Sequence, residues 1–175
     1  MTYQEEIIKA MHLLAEHPNT LFLGQSVKWP GTGLYHTIKD IPDNKKIELP
    51  VLEDIQMGIS IGLSLEGFIP ISIYPRWDFL ILATNQLVNH LDKMEQMSDG
   101  QFKSKVIIRT AIGSIKPLFP GPQHMQDHTE AFKLMCKNIN IVKLTSKEMI
   151  IPEYEKALYS DKSTILVEEP DLYNT

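Results

Sequence analysis

The sequence has 175 residues, enough for one domain with a sizeable core, and its 43% apolar fraction argues against disorder. The net charge of −5 argues against nucleic acid as the main partner, because phosphate binding requires a basic face. A transmembrane helix needs about 20 consecutive apolar residues, and no run in the sequence is that long. The acidic N-terminus is unlike a signal peptide. We expect a cytoplasmic protein in which the lone Cys136 serves packing.

Helical and strand patterns alternate along the chain. Helices are predicted over 3–16, 52–65 and 75–97, then in a segment ending at Cys136 and in another that Thr145 or Ser146 can cap. Strands are predicted over 21–23, 47–49, 68–74, 105–109, 139–144 and 164–168. No hairpin signal such as Asn-Gly joins adjacent strands, so we expect parallel strands with right-handed crossovers. The predicted fold is a doubly wound α/β sheet of five or six strands with helices on both faces.

Two long connections, at 25–45 and 110–125, follow the first and fourth predicted strands. Connections of this length are uncommon in compact domains and are often functional. Both follow strands of one parallel sheet, so we expect them at its carboxyl edge, where ligands bind in such folds. The phosphate-binding patterns GxGxxG and Gly-Lys-Ser/Thr do not occur in the sequence, which argues against the commonest nucleotide sites.

Glu53 begins the second predicted helix, just after a predicted strand that ends at Pro50. This position at the carboxyl end of a strand is typical of a ligand contact. A simpler interpretation is that Glu53 and Asp54 only complement the helix dipole, and position alone leaves both open. Gly58 and Gly62 lie four apart on one face of the helix and indicate a face that another backbone approaches closely.

His124 and His128 lie four residues apart in the second long connection. This is a spacing of paired metal ligands, but no third ligand is placed nearby, so we predict no metal on this chain. Histidine transfers protons readily near neutral pH. The pair therefore indicates polar groups beside a substrate pocket.

A series of landmarks follows in order along the chain: Leu-Phe-Leu-Gly at 21–24, Pro50 to Glu53, Gly58 and Gly62, Asp78-Phe79, Asn85 to Asn89, Met97 to Gln101, Gly121 to His124, and Glu169 to Tyr173. In this order the landmarks resemble the N-terminal pyrimidine-binding domain of the beta subunit of 2-oxoacid dehydrogenase first components. The sequence is similar more widely to the pyrimidine domain of transketolase-type thiamine diphosphate enzymes. The resemblance implies one pyrimidine-binding domain over 1–175, with the thiamine diphosphate-binding fold and without the family's C-terminal domain.

The resemblance also gives roles to individual residues. Glu53 matches the glutamate that hydrogen-bonds N1′ of the cofactor's aminopyrimidine and so favours the 4′-imino form that removes the thiazolium proton. Phe79 matches the aromatic residue that stacks on the pyrimidine, and Val51 an apolar residue beside it. His124 matches a histidine that faces the reaction space and orients or protonates the substrate.

Gln25 and His128 depart from the family pattern. Gln25 stands where the dehydrogenases have an acidic residue on a proton path between paired active sites, and His128 lies in a segment that is one residue longer. We predict both as substrate contacts. In the family, a Gly-Asp-Gly…Asn motif on another domain binds the diphosphate through Mg²⁺. This sequence lacks that motif, so the resemblance implies a separate diphosphate-binding subunit, in a heterotetramer.

The resemblance implies a two-chain thiamine diphosphate enzyme that acts on a small 2-oxoacid or ketose through a cofactor carbanion. Decarboxylation, two-carbon transfer and acyloin formation all remain open. One alternative is a non-catalytic regulatory or scaffold subunit that kept the fold. A second is an unrelated flavodoxin-like domain that binds a nucleotide by itself.

Overall fold

Six parallel strands form one sheet within residues 1–116 and 118–175, which the computed structural model describes. They are β1 (Thr20–Gly24), β2 (Lys46–Glu48), β3 (Ile69–Ile73), β4 (Ile107–Ala111), β5 (Asn140–Lys143) and β6 (Thr164–Glu168). Their order in the sheet is β2-β1-β3-β4-β6-β5, and every neighbouring pair is parallel. The predicted doubly wound α/β fold is therefore confirmed. Pro117, which the sequence places in the second long connection, lies outside the described residues.

Helices cover both faces of the sheet. They are α1 (Tyr3–Glu16), α2 (Glu53–Leu65), α3 (Trp77–Leu80), α4 (Met94–Met97), α5 (Thr129–Met135) and α6 (Ile150–Tyr159). Helices α1 and α6 share one apolar core with one face of the sheet, whereas α2, α3 and α5 share a second core with the other face. Successive strand residues point to opposite faces, so Ile107 enters the first core and Ile108 the second. Burial on both faces explains why the central strands β1, β3, β4 and β6 are rich in apolar residues.

The N-terminus of α1 begins where the sequence predicts it. Thr2 and Glu5 form a capping box, in which the Glu5 N–H donates to Thr2 Oγ1 at 3.3 Å and the Thr2 N–H donates to Glu5 Oε2 at 2.8 Å. Ile7, Met11 and Leu14 form the buried apolar stripe of this helix.

The predicted continuous helix over 75–97 is wrong, because the segment is broken into short pieces. Between α3 and α4 the chain forms a 3₁₀ turn at Ile81–Ala83 and a π-helix at Gln86–Leu91. The Asp92 N–H donates to Leu87 O, five residues back, and its carboxylate then accepts the N–H groups of Lys137 and Asn138. The apolar side chains of this segment stay buried in one core through these changes of hydrogen-bond register. The apolar periodicity therefore predicts a single helix.

The first long connection is more ordered than predicted. It contains two 3₁₀ turns, Gly33–Thr37 and Asp43–Lys45, and buries Val27, Leu34 and Ile38 in the first core. The Glu48 carboxylate fixes its beginning by accepting the N–H groups of residues 26–28 at 2.6–2.9 Å. The turn that carries Gln25 is therefore firmly held. Within the described residues, no helix is both long and apolar enough to cross a membrane.

Candidate active site

The carboxyl ends of β1, β3 and β4 lie side by side, because these strands are neighbours in the sheet. A cavity of about 630 Å³ opens at this edge. The turns after the three strands contribute to its lining, and the lining side chains include Gln25, His36, Arg76, Phe79 and Lys116. The sequence predicted a site at this edge from the positions of the long connections, and the structure forms a cavity there.

Glu53 is the first residue of α2 and is 9% exposed. The Tyr74 hydroxyl, at the end of β3, donates to its backbone carbonyl at 3.2 Å. The Glu53 carboxylate takes part in no hydrogen bond or ion pair with the residues that the structure describes. Its neighbours Val51 and Ile55 are exposed apolar side chains, at 57% and 53%. Glu53 is therefore a nearly buried residue whose carboxylate has no partner among the described residues and reaches solvent beside an open apolar surface.

Phe79 and His124 meet at the wall of the cavity. Their ring centroids are 5.3 Å apart, with the planes inclined at 44°. Two hydrogen bonds dock the His124 segment onto α3: Arg76 Nη1 donates to the His124 carbonyl at 3.0 Å, and Gln126 Nε2 donates to Asp78 Oδ1 at 3.0 Å. The Phe79 ring therefore packs directly against His124.

The two predicted histidines each bury one ring nitrogen, His124 Nδ1 and His128 Nε2, that has no hydrogen-bond partner in the described part of the chain. No group of three or more His, Cys, Asp or Glu residues that could hold a metal ion is found among residues 1–116 and 118–175.

The predicted site residues do not all line one cavity. Phe79 and Gln25 line it, whereas Glu53, Val51 and His124 do not. Glu53 and Val51 lie instead at the start of α2, on the open apolar side. The hydrogen bond between Tyr74 and Glu53 joins that region to the turn that carries Phe79. The structure therefore presents two adjoining regions, a carboxylate at an open face and a cavity behind the aromatic ring.

A buried ionic network below the cavity was missed by sequence reasoning. Arg109 on β4 pairs with Glu168 on β6, both fully buried, and the hydroxyls of Tyr154 and Tyr173 donate to the Glu168 carboxylate at 3.0 and 2.6 Å. Burial raises the pKa of both tyrosines, and the negative charge of Glu168 raises it further. The available signal was a charged residue directly after the apolar run of each of two predicted strands, 105–109 and 164–168. Tyr173 also lines the cavity, so this network supports its floor.

Glycines Gly58 and Gly62 lie on the outer face of α2. Nothing in the described chain lies within 4 Å of a Cβ placed at either position. The close backbone approach predicted from their spacing is therefore not made within this chain. Together with Ile55 and Ile59, which are 53% and 37% exposed, the glycines form an open apolar face.

The parallel sheet with helices on both faces has the fold of solved transketolases. A split-gene transketolase, solved as an inactive beta4 tetramer, matches 97% of this chain and 51% of its own length, with a TM-score of 0.75 and 16% identity. Transketolase from Campylobacter jejuni matches 95% of this chain and 25% of its own length, with a TM-score of 0.66 and 14% identity. At these identities the likeness establishes the fold.

The chain is also similar in sequence to beta subunits of 2-oxoacid dehydrogenases. The chain is 27% identical over 175 residues to the chloroplastic pyruvate dehydrogenase E1 subunit beta-3 of Oryza sativa, and 28% identical over 161 residues to that of Arabidopsis thaliana. It is 25% identical over 150 residues to the 3-methyl-2-oxobutanoate dehydrogenase subunit beta of Mycobacterium tuberculosis. These matches cover 98%, 90% and 81% of this chain, but only 43%, 39% and 41% of the relatives. No protein-family model matches.

The resemblance predicted from the sequence is therefore confirmed. The chain is similar, over nearly its whole length, to beta subunits of 2-oxoacid dehydrogenase first components, and it has the fold of a transketolase pyrimidine-binding domain. It spans less than half of the length of these curated relatives.

Proposed function

We propose that this chain is the pyrimidine-binding subunit of a two-chain thiamine diphosphate-dependent enzyme acting on a 2-oxoacid or a ketose. The observation that carries the proposal is Glu53, a nearly buried residue at the start of α2 whose carboxylate has no partner in the described chain. Residues 1–175 would act as one pyrimidine-binding domain, and the end-to-end similarity to dehydrogenase beta subunits supports this.

Glu53 fits the aminopyrimidine in both position and chemistry. Glu53 is only 9% exposed as a residue, its carboxylate is free to accept or share a proton, and apolar Val51 and Ile55 lie beside it, so a hydrogen bond to N1′ would gain strength once the cofactor and a partner exclude water there. Glu53 would hold the shared proton at that nitrogen. When bound, thiamine diphosphate supplies the carbon nucleophile that breaks or forms a bond next to the substrate carbonyl.

Phe79 and His124 would act on either side of the reacting region. The half-buried Phe79 ring offers an aromatic face of the kind on which a pyrimidine stacks. His124 packs against that ring, and Arg76 fixes its backbone, so its imidazole is held where it could orient or protonate a substrate. Gln25, which lines the cavity, and His128 are proposed as substrate contacts.

A partner subunit would complete the site. We propose that a chain with a Gly-Asp-Gly…Asn motif binds the diphosphate and Mg²⁺, and that two copies of each chain form a heterotetramer. The split-gene transketolase whose beta chains alone form an inactive tetramer supports a division of labour between two chains. The open apolar face of α2 at Ile55 and Ile59 lies next to Glu53 and offers a surface for such a partner.

Calorimetry tests this proposal. Thiamine diphosphate with Mg²⁺ is titrated into the chain alone, into the partner alone and into the reconstituted pair. We expect tight binding only by the pair, and weaker binding when the pair carries Phe79→Ala. Tight binding by the lone chain, or tight binding of a nucleotide instead, would contradict the proposal and favour an unrelated domain.

A further inference from the structure

The two arginines of the chain have opposite environments. Arg109 is fully buried and paired with Glu168. Arg76 is half-buried at the cavity wall and forms no ion pair with any carboxylate of the described residues. One bond, from Nη1 to the His124 carbonyl, is the only hydrogen bond found for its guanidinium among residues 1–116 and 118–175. A guanidinium with unused donors therefore faces the cavity.

The charge of the cavity is opposite to that of the whole chain. Two other basic side chains, His36 and Lys116, line it with Arg76, and no Asp or Glu is found in the lining that the structure describes. The chain as a whole carries a net charge of −5. A basic cavity in an acidic protein attracts anions, because no carboxylate in the described lining offsets its arginine and lysine.

Asp171 lies beside the cavity rim, and its carboxylate is engaged by backbone groups. The Asp171 carboxylate accepts the N–H groups of Ile115 and Lys116 at 2.9–3.2 Å, and this holds the Lys116 segment at the cavity rim. His36 and Lys116 are exposed, whereas Arg76 lies deeper. The arrangement places a planar, forked donor at the wall, and an ammonium group and an imidazole near the mouth. Such a fork matches the paired oxygens of a carboxylate or phosphate.

We propose that Arg76, with His36 and Lys116, forms a subsite for an anionic group of the substrate, a carboxylate or a phosphate. The assignment rests on the proposed function only in taking this cavity as the substrate side of the active site. Its volume of about 630 Å³ is within the range of small-molecule sites, so the anion can belong to a molecule with several further carbon atoms. Arg76 then acts as a specificity-determining residue.

Titration of the ¹⁵N-labelled full chain by NMR tests the subsite. The probes are pyruvate for a carboxylate and ribose 5-phosphate for a phosphate. We expect at least one probe to shift signals around the cavity, and Arg76→Gln to weaken its binding about tenfold, equivalent to about 1.4 kcal/mol. Lys116→Gln, which leaves the bond to the His124 carbonyl intact, should weaken binding about threefold. The probe that binds identifies the anion.

Lys39→Gln is the matched control, because it removes the same charge from an exposed position outside the cavity and should leave probe binding unchanged. Arg76→Lys, which keeps the charge, should retain part of the affinity. No cavity shifts with either probe, or equal binding by wild type, Arg76→Gln and Lys116→Gln, would overturn the subsite.

A second titration separates this inference from the proposed function. Arg76→Gln in the reconstituted pair should leave thiamine diphosphate binding unchanged, since the anion belongs to the substrate. A large loss there would overturn the substrate assignment in favour of the cofactor's own diphosphate. Failure of the wild-type pair to bind thiamine diphosphate would instead contradict the proposed function, while Arg76-dependent binding of a probe would still stand.

Discussion

The Tyr74 hydroxyl donates a hydrogen bond to the backbone carbonyl of Glu53 at 3.2 Å, and so ties the end of β3 to the first turn of α2. Tyr74 is fully buried and is followed by Arg76, at the N-cap of α3, and by Phe79 within α3. One hydroxyl therefore links the carboxylate at the open face to the aromatic wall of the cavity.

Tyr74→Phe should loosen this link without leaving a void. We expect a loss of about 1 kcal/mol in the free energy of unfolding, the usual size of one hydrogen bond, and weaker thiamine diphosphate binding by the reconstituted pair. Denaturation and calorimetry measure the two effects. Tyr159→Phe removes a hydroxyl from an exposed ring and should change neither. Wild-type affinity in Tyr74→Phe would mean that the link does not position Glu53.

Glu168→Gln should destabilise the protein strongly, because it leaves the buried Arg109 charge uncompensated and disturbs two tyrosine hydrogen bonds. Removal of one partner of a buried pair costs about 3–5 kcal/mol. The comparison is Glu130→Gln, which breaks an exposed pair with Lys133 and should change stability by less than about 1 kcal/mol. Urea denaturation measures both. Similar stability of the two variants would contradict a structural role for the network.

Asp92 should stabilise the fold in a pH-dependent way. Burial opposes its ionisation, but hydrogen bonds from Lys93 and from the backbone of Asn138 and Lys137 outweigh burial and hold the pKa of Asp92 below its ordinary value. A group with a lowered pKa in the folded state contributes stability above its unfolded pKa of about 3.9, and this contribution is lost as the pH falls through the folded pKa.

Asp92→Asn should therefore lose stability relative to wild type at pH 7, and the difference should shrink progressively below about pH 4. Unfolding free energies at pH 7, 5 and 3 measure it. The exposed Asp40→Asn is the control and should match wild type at each pH. A difference that stays constant from pH 7 to pH 3 would show that the ionised carboxylate is not the stabilising form.

Cys136 should be a slow nucleophile. Burial raises the pKa of its thiol to about 11, and the negative charge of Asp92 adds to the effect. At pH 8 only about one thiol in a thousand would then be ionised, and the thiolate is the reactive form. We expect iodoacetamide to alkylate the native chain far more slowly than the chain in urea. Equal rates would contradict the buried environment. The cytoplasmic location predicted from this single cysteine stays a prediction.

Helical and strand patterns of apolar residues alternate along the chain, and this was enough to predict the α/β fold class. Strand β6 begins and ends at the predicted residues 164–168. Periodicity could not predict the π-helix before Asp92, because the stripe of Leu80, Leu87 and Leu91 stays buried through a change in hydrogen-bond register. The order of strands in the sheet also depends on contacts distant in sequence, which no local pattern contains.

Only part of the candidate site could be predicted, because local sequence patterns do not contain contacts between distant residues. Glu53 and Phe79 were found through the resemblance, because they belong to landmarks in a specific order. Arg76 was missed because its importance depends on which groups surround it, and neither the missing carboxylate nor the nearby Lys116 can be read from a local pattern. The pair of Arg109 and Glu168 joins residues 59 positions apart, and its members could be suspected only from their apolar neighbours.

The most direct test of the account is the activity of Glu53→Gln in the reconstituted two-chain enzyme, with Asp54→Asn as its control. Asp54 is the next carboxylate on the same helix turn but is exposed, so both variants lose one charge near the α2 N-terminus. We expect Glu53→Gln to assemble normally and to lose activity by about 100-fold or more, since proton transfer contributes on that scale. Asp54→Asn should stay close to wild type. Unchanged turnover in an assembled Glu53→Gln enzyme would contradict the account and favour a subunit that kept the fold without its chemistry.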